Sequence, residues 1–178
     1  PGVDVRIEAV GSADAMRRLR ARTLDVGIVA SPQPPVAELC LTPWRSDEMV
    51  ALVPAAWQAP ARVTPDWLAA RRWATFAPAT QMHGLVAAWF GQAGHRPRPF
   101  LTLSYPGALK SLAAASQSAA ILPREEVADL PQGQDVQVRS LSPALIRPMA
   151  VAHRHAPAPV VASVLAVLAQ FAQAAPSG

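Results

Sequence analysis

LTLSYPGALKSLAAASQSAAILP, residues 101–123, reads as strand, turn, helix and strand in quick succession. Residues 101–104 supply a short apolar strand, and Tyr105-Pro106-Gly107 breaks it. Proline suits the first helical position, because its missing N–H would have met no intrahelical carbonyl. Residues 108–115 are strong helix formers, with Leu109 and Leu112 on one stripe. Residues 119–122 are an apolar strand stopped by Pro123. A parallel strand–helix–strand unit points its helix N-terminus at the crevice beyond the strand ends. Free N–H groups and the positive end of the helix dipole then face any ligand. Ser104 stands just before that helix, placed to serve as its cap or as a ligand donor.

The segments around this unit repeat its logic. Residues 3–10, VDVRIEAV, alternate apolar and polar, the period of a half-covered strand. Gly11-Ser12 follows as turn and cap, with Ser12 able to accept from the first helical N–H groups. Residues 15–22 predict a helix with Met16 and Leu19 inward and arginines outward. Residues 24–30 are almost wholly apolar, as a buried parallel strand would be. Further strands are expected to begin at residue 39 and at 49–54, with a short helix over 65–70 capped by Thr64 and a strand over 73–76. Ala77 to Gly84 is a polar turn leading into a helix over 85–93, which Gly94 ends. Residues 136–141 and 146–152 read as two strands, and 157–172 as a terminal helix striped by Val160, Val164, Leu168 and Phe171. The tail from 174 is expected to fray.

Composition narrows the function. The chain has 178 residues, of which 51% are hydrophobic, enough for a sizeable core in one domain or two small lobes. Its formal net charge of +4 hints at nucleic acid, but the arginines are scattered, without interleaved aromatics or a helix-turn-helix pattern. They read as solvated faces. A single cysteine, Cys40, excludes an internal disulfide and suits a reducing compartment. No secretory leader opens the chain, and the longest apolar run, 160–169, is broken by Ser163 and too short to span a bilayer. Without an initiator Met, the chain reads as an excerpt from a longer protein.

No nucleophile-elbow, zinc-protease, CxxC, P-loop or dinucleotide-binding pattern occurs. His153 and His155 share one side of a strand, but no Cys or carboxylate lies near them in sequence, so no metal site is expected. No catalytic residue and no cofactor is assigned. What remains is a set of turns at helix beginnings: Gly11-Ser12, Ala30-Ser31, Thr80-Gln81-Met82-His83 and Ser104-Tyr105. Short hydroxyl and amide groups beside exposed N–H groups suit a small carboxylate or similar polar metabolite. Simple capping is the competing role for each. Arg147, on the return strand, is placed to approach the same region or to form a salt bridge.

Taken in order, these segments resemble the effector-binding domain of LysR-type transcriptional regulators. Residues 1–28 resemble an early strand, helix and "LDlai" strand of the family, with Arg22-Thr23 where a glycine usually precedes the Leu-Asp pair. Residues 113–123 follow its "VaaGlGiallP" ending, with Ser116 and Ser118 in place of both glycines. Serine in a left-handed helix terminus costs about 1 kcal/mol, so the turn differs or carries strain.

The resemblance implies an α/β, two-lobed periplasmic-binding-protein-like (type 2) fold, with two βαβ subdomains joined by two crossover strands. Lobe I would be 1–46 and 146–178, and lobe II 47–145. The family's first strand and helix, and its winged helix-turn-helix, would precede residue 1. The implied function is ligand sensing rather than catalysis, with the four turns converging on an inter-lobe cleft. The implied partners are a small-molecule effector, a second copy (a homodimer, or a tetramer in the parent) and DNA through a domain absent here. No membrane is involved, and the location is the cytoplasm. Residues 85–93 and 3–10 are the expected dimer contacts. A transport solute-binding protein, or an enzyme borrowing the fold, is the rival reading.

Overall fold

The computed structural model describes residues 4–78, 80–130 and 135–172. In chain order the elements are α1 (Ser12–Arg20), β1 (Val26–Ala30), β2 (Leu39–Pro54), β3 (Arg62–Val63), α2 (Pro65–Ala69), β4 (Trp73–Phe76) and α3 (Gln81–Gln92). After them come β5 (Leu101–Leu103), α4 (Pro106–Ala114), β6 (Ala119–Pro123), β7 (Val136–Arg154) and α5 (Pro159–Gln170). The chain forms two compact units. One is Asp47–Arg147; the chain on either side of it makes the other. β2 and β7 contribute residues to both.

Within Asp47–Arg147 the strands run β2-β6-β4-β5. β4 is parallel to both β5 and β6, whereas β2 is antiparallel to β6. The period-2 alternation of the strands sorts the core into two sets. Met49, Ala51 and Val53 of β2, Trp73 of β4 and Ala119 and Ile121 of β6 share one cluster with Val86, Trp89 and Phe90 of α3. Val50 and Leu52, Ala74 and Phe76, and Ala120 and Leu122 share the other with Leu109 and Ala113 of α4. Trp89 is fully buried yet keeps its hydrogen bond, its indole N–H donating to Pro143 O at 2.8 Å.

In the other unit β1 pairs antiparallel with β7, Val26 opposite His153 through Ala30 opposite Met149. Ala15, Met16 and Leu19 of α1 cover Val29, Leu39, Ala150 and Ala152. A Cβ at Gly27 would press on Leu19 Cδ1 at 3.3 Å, so any larger residue there would have to push that side chain of α1 aside by a few tenths of an ångström. α5 buries none of its residues, although Trp44 Nε1 donates to Leu168 O at 2.8 Å.

Several expectations are corrected. Among the described residues, 4–10 form no strand and every one is exposed, Ile7 at 90%. Alternation implies a strand only where another element covers the apolar side, and none among the described residues does so here. β1 is antiparallel to its neighbour rather than parallel, and Ile28 on it is 42% exposed. The paired segments read within 39–54 and within 136–152 are each one continuous strand. α3 begins at Gln81, four residues before the expected 85, so Gln81, Met82 and His83 are helical. The stripe on α5 is not a buried face: Val160 and Phe171 are exposed, and Val164 and Leu168 half-buried. The tail from 174 lies outside the described residues.

Three helices end in the same way. The sixth residue of the terminal turn donates to the first carbonyl, and the fifth to the second, leaving that fifth residue left-handed. In α3 it is Gly94, φ 76°, with His95 N donating to Phe90 O. In α1 it is Arg22, φ 60°, with Thr23 N donating to Arg18 O. In α4 it is Ser116, φ 56°, with Gln117 N donating to Leu112 O. The turn is therefore kept, and two non-glycine residues carry its strain.

Candidate functional site

The parallel pairing of β4 and β5 places two helix N-termini side by side. Phe76 lies opposite Leu103, and Ala77 N donates to Leu103 O at 3.0 Å just past the strand ends. α3 and α4 both start within a few residues of that point. The first-turn N–H groups of a helix have no intrahelical carbonyl to meet, and the dipole makes that end positive.

Each residue at these two helix starts has a definite place. Thr80 caps α3: its Oγ1 accepts from His83 N at 3.2 Å and donates to Ala77 O at 2.8 Å. His83 is half-buried, its Nδ1 3.1 Å from Phe76 O. Gln81 is exposed in the first turn, and Met82 beside it is half-buried. Ser104 is not the cap of α4; Tyr105 occupies that position and makes no side-chain capping bond. Pro106 at the first helical position starts the helix one residue later than a Ser104 cap would. Both Ser104 and Tyr105 are exposed, and the Tyr105 ring lies over Gly107, where a Cβ would come within 3.1 Å of it.

Behind this corner stands an ion pair. Arg147 Nε donates to Asp47 Oδ2 at 3.0 Å, and Nη2 donates to the same oxygen. Nη1 lies 3.7 Å from Met82 Sδ, which ties the pair to the first turn of α3. Asp47 is only 5% exposed. Sequence reasoning singles out Arg147 but not its partner, because Asp47 lies 100 positions away within an otherwise unremarkable Ser-Asp-Glu triplet.

The other unit holds the remaining two turns together. Ser12 does not cap its own helix: its Oγ accepts from Ala30 N at 3.0 Å, and Gly11 stands at the cap position without a side-chain bond. Ser31 N donates to Pro148 O at 2.8 Å. Gly11-Ser12 and Ala30-Ser31 are thus one corner. Among the described residues no group of three or more His, Cys, Asp or Glu could hold a metal ion. No helix among them is long and apolar enough to cross a membrane.

The architecture is that of a type 2 periplasmic-binding-protein-like α/β domain. The model of the LysR substrate binding domain matches residues 1–173, and the chain belongs to that family. No curated protein sequence matches it. Solved structures of the same fold include the effector-binding domain of QuiR in complex with shikimate (TM-score 0.79, 15% identity, 92% of this chain and 78% of that one). The regulatory domain of Synechocystis PCC6803 CcmR in complex with 2-PG is similar too (TM-score 0.78, 15% identity, 98% and 86%). So is CbnR, a LysR family transcriptional regulator (TM-score 0.74, 17% identity), where the match covers 93% of this chain but only 58% of that one.

Proposed function

We propose that this chain is the ligand-sensing part of a LysR-type regulator and that it binds a small polar carboxylate. The observation that carries the reading is the adjacency of the α3 and α4 N-termini at the ends of parallel β4 and β5. One carboxylate can accept from N–H groups of both helices, with Gln81, Ser104 and Tyr105 supplying exposed polar groups around it. Thr80, Met82 and His83 shape the start of α3 from behind, since their own polar groups or contacts point into the unit. Gly11, Ser12, Ala30 and Ser31 form a second, similar corner that we assign the same role. Shikimate in QuiR and 2-PG in CcmR are small acids, which fits this class without naming the effector.

The parent would then carry a DNA-binding region elsewhere and act as an oligomer of cytoplasmic location. Effector binding would shift its population between two arrangements. Family membership favours this over the transport reading. The test is a thermal-shift screen of small carboxylates, because a ligand bound only by the native state raises the midpoint. A hit should lose at least tenfold in affinity in Ser104→Ala combined with Gln81→Ala. No hit across a broad acid panel, or hits indifferent to those changes, would overturn it.

A further inference from the structure

At the far end of α1 from Ser12, about 13 Å along the helix axis, a recess of roughly 470 Å³ opens in the same unit. Arg17, Arg20, Arg22 and Arg154 line it, with Leu39 and one carboxylate, Glu38. Two of the four guanidiniums are already engaged. Arg17 pairs with Asp14, and Arg154 donates to Asp25 and to the carbonyls of Leu19 and Leu24 at 3.2 and 2.7 Å. The bond to Leu19 O brings a cationic donor to a carbonyl in the last turn of α1, whose negative end would otherwise repel an anion. Among the described residues, Arg20 and Arg22 have no ion pair, and both are exposed. Arg22 is also held at φ 60°, in the position that Gly94 fills at the end of α3. A large cationic side chain thus stands, at a conformational cost, on the rim of a cavity of metabolite size.

We propose that this recess binds a small phosphate-bearing anion. Arginine forks match phosphate oxygens bidentately, and two unpaired guanidiniums balance the near-dianionic charge of a phosphomonoester at neutral pH. Glu38 opposes binding and limits its tightness. The site is separate from the helix N-termini of the proposed function and stands or falls without them.

The test uses the whole chain, with inorganic phosphate and glycerol 3-phosphate as probes. Sodium chloride at matched ionic strength is the control, and melting is the readout. Either phosphate should raise the midpoint beyond chloride, and their ranking tells free phosphate from an ester. Arg22→Gly separates binding from folding. Glycine relieves the left-handed backbone, so the ligand-free midpoint should rise while the phosphate-induced shift falls by half or more. Arg20→Gln should weaken the shift similarly, and Glu38→Gln should enlarge it. The proposal is overturned by a shift no greater than chloride gives, by shifts unchanged in both arginine variants, or by binding of a DNA duplex with none of either phosphate.

Discussion

Asp47–Arg147 and the shorter unit built from the flanking chain have very different interiors. In the first, alternate residues of β2, β4 and β6 fill a cluster beneath α3 and another beneath α4. In the second, one cluster lies beneath α1, while α5 buries nothing and residues 4–10 stay exposed. Hydrophobic content is therefore a poor guide to where stability resides. α5 is among the most apolar segments of the chain, yet it contributes little burial. Stability follows area removed from water, and that area is concentrated where a strand has helices on both sides.

The sharpest way to break this contrast is one substitution in two settings. Leu109→Ala, at a fully buried position under β6, should cost about 2–5 kcal/mol. Leu165→Ala, half-buried on α5, should cost about 1 kcal/mol or less. Equal losses in urea unfolding would mean that α5 is covered in solution. Next in size is Arg147→Met. It leaves Asp47 buried without its guanidinium and should cost about 3 kcal/mol, with Asp47→Asn in the same chain restoring part of it. Full additivity of the two changes would show that the pair is not coupled.

Smaller effects compare the helix ends. Ser116→Gly should stabilise by about 1 kcal/mol, because the left-handed φ of 56° is free for glycine. The same change should leave the α4 N-terminus, and any carboxylate affinity there, untouched. The smallest effect concerns pH. Arg124 donates two hydrogen bonds to Glu48 and holds that carboxyl below its ordinary value. A depressed carboxylate contributes stability above its unfolded pKa and loses it as pH falls through the folded one. Both side chains are more than 40% exposed, so the contribution is small. Arg124→Gln should slightly flatten the loss of stability on acidification, read as midpoint against pH.

The sequence carried most elements of both units, α1, β1 and α5 included; it failed on the strand expected over 3–10 and on the buried face expected of α5, for one physical reason. Patterns such as Trp73–Phe76 or 106–114 are confirmed by partners close in space that impose the same periodicity. Residues 4–10 alternate as cleanly, but nothing among the described residues covers their apolar side. Each of the two long strands reads as two segments in the sequence, and Pro43 and Pro143 stand in the stretches between those segments, where a proline cannot donate to a ladder. The chain nevertheless stays extended through them, because the fixed φ of proline is compatible with extended backbone. At the candidate site, the turns were visible as polar residues before helices. Their exact caps were not, because Ser12 and Ser104 are equally good caps by composition. Only tertiary context shows Ser12 turned to Ala30 and Tyr105 standing at the cap of α4. Asp47 was hidden by its distance along the chain.

The central claim is that the neighbouring starts of α3 and α4 receive a carboxylate. Amide chemical-shift mapping during titration with a hit from the acid panel tests it most directly. The account predicts the largest saturable shifts at the backbone N–H groups of Gln81 and Met82, since that of His83 already donates to Thr80 Oγ1, and of Gly107 and Ala108. Saturable binding that leaves those amides unmoved and perturbs other parts of the chain would contradict it.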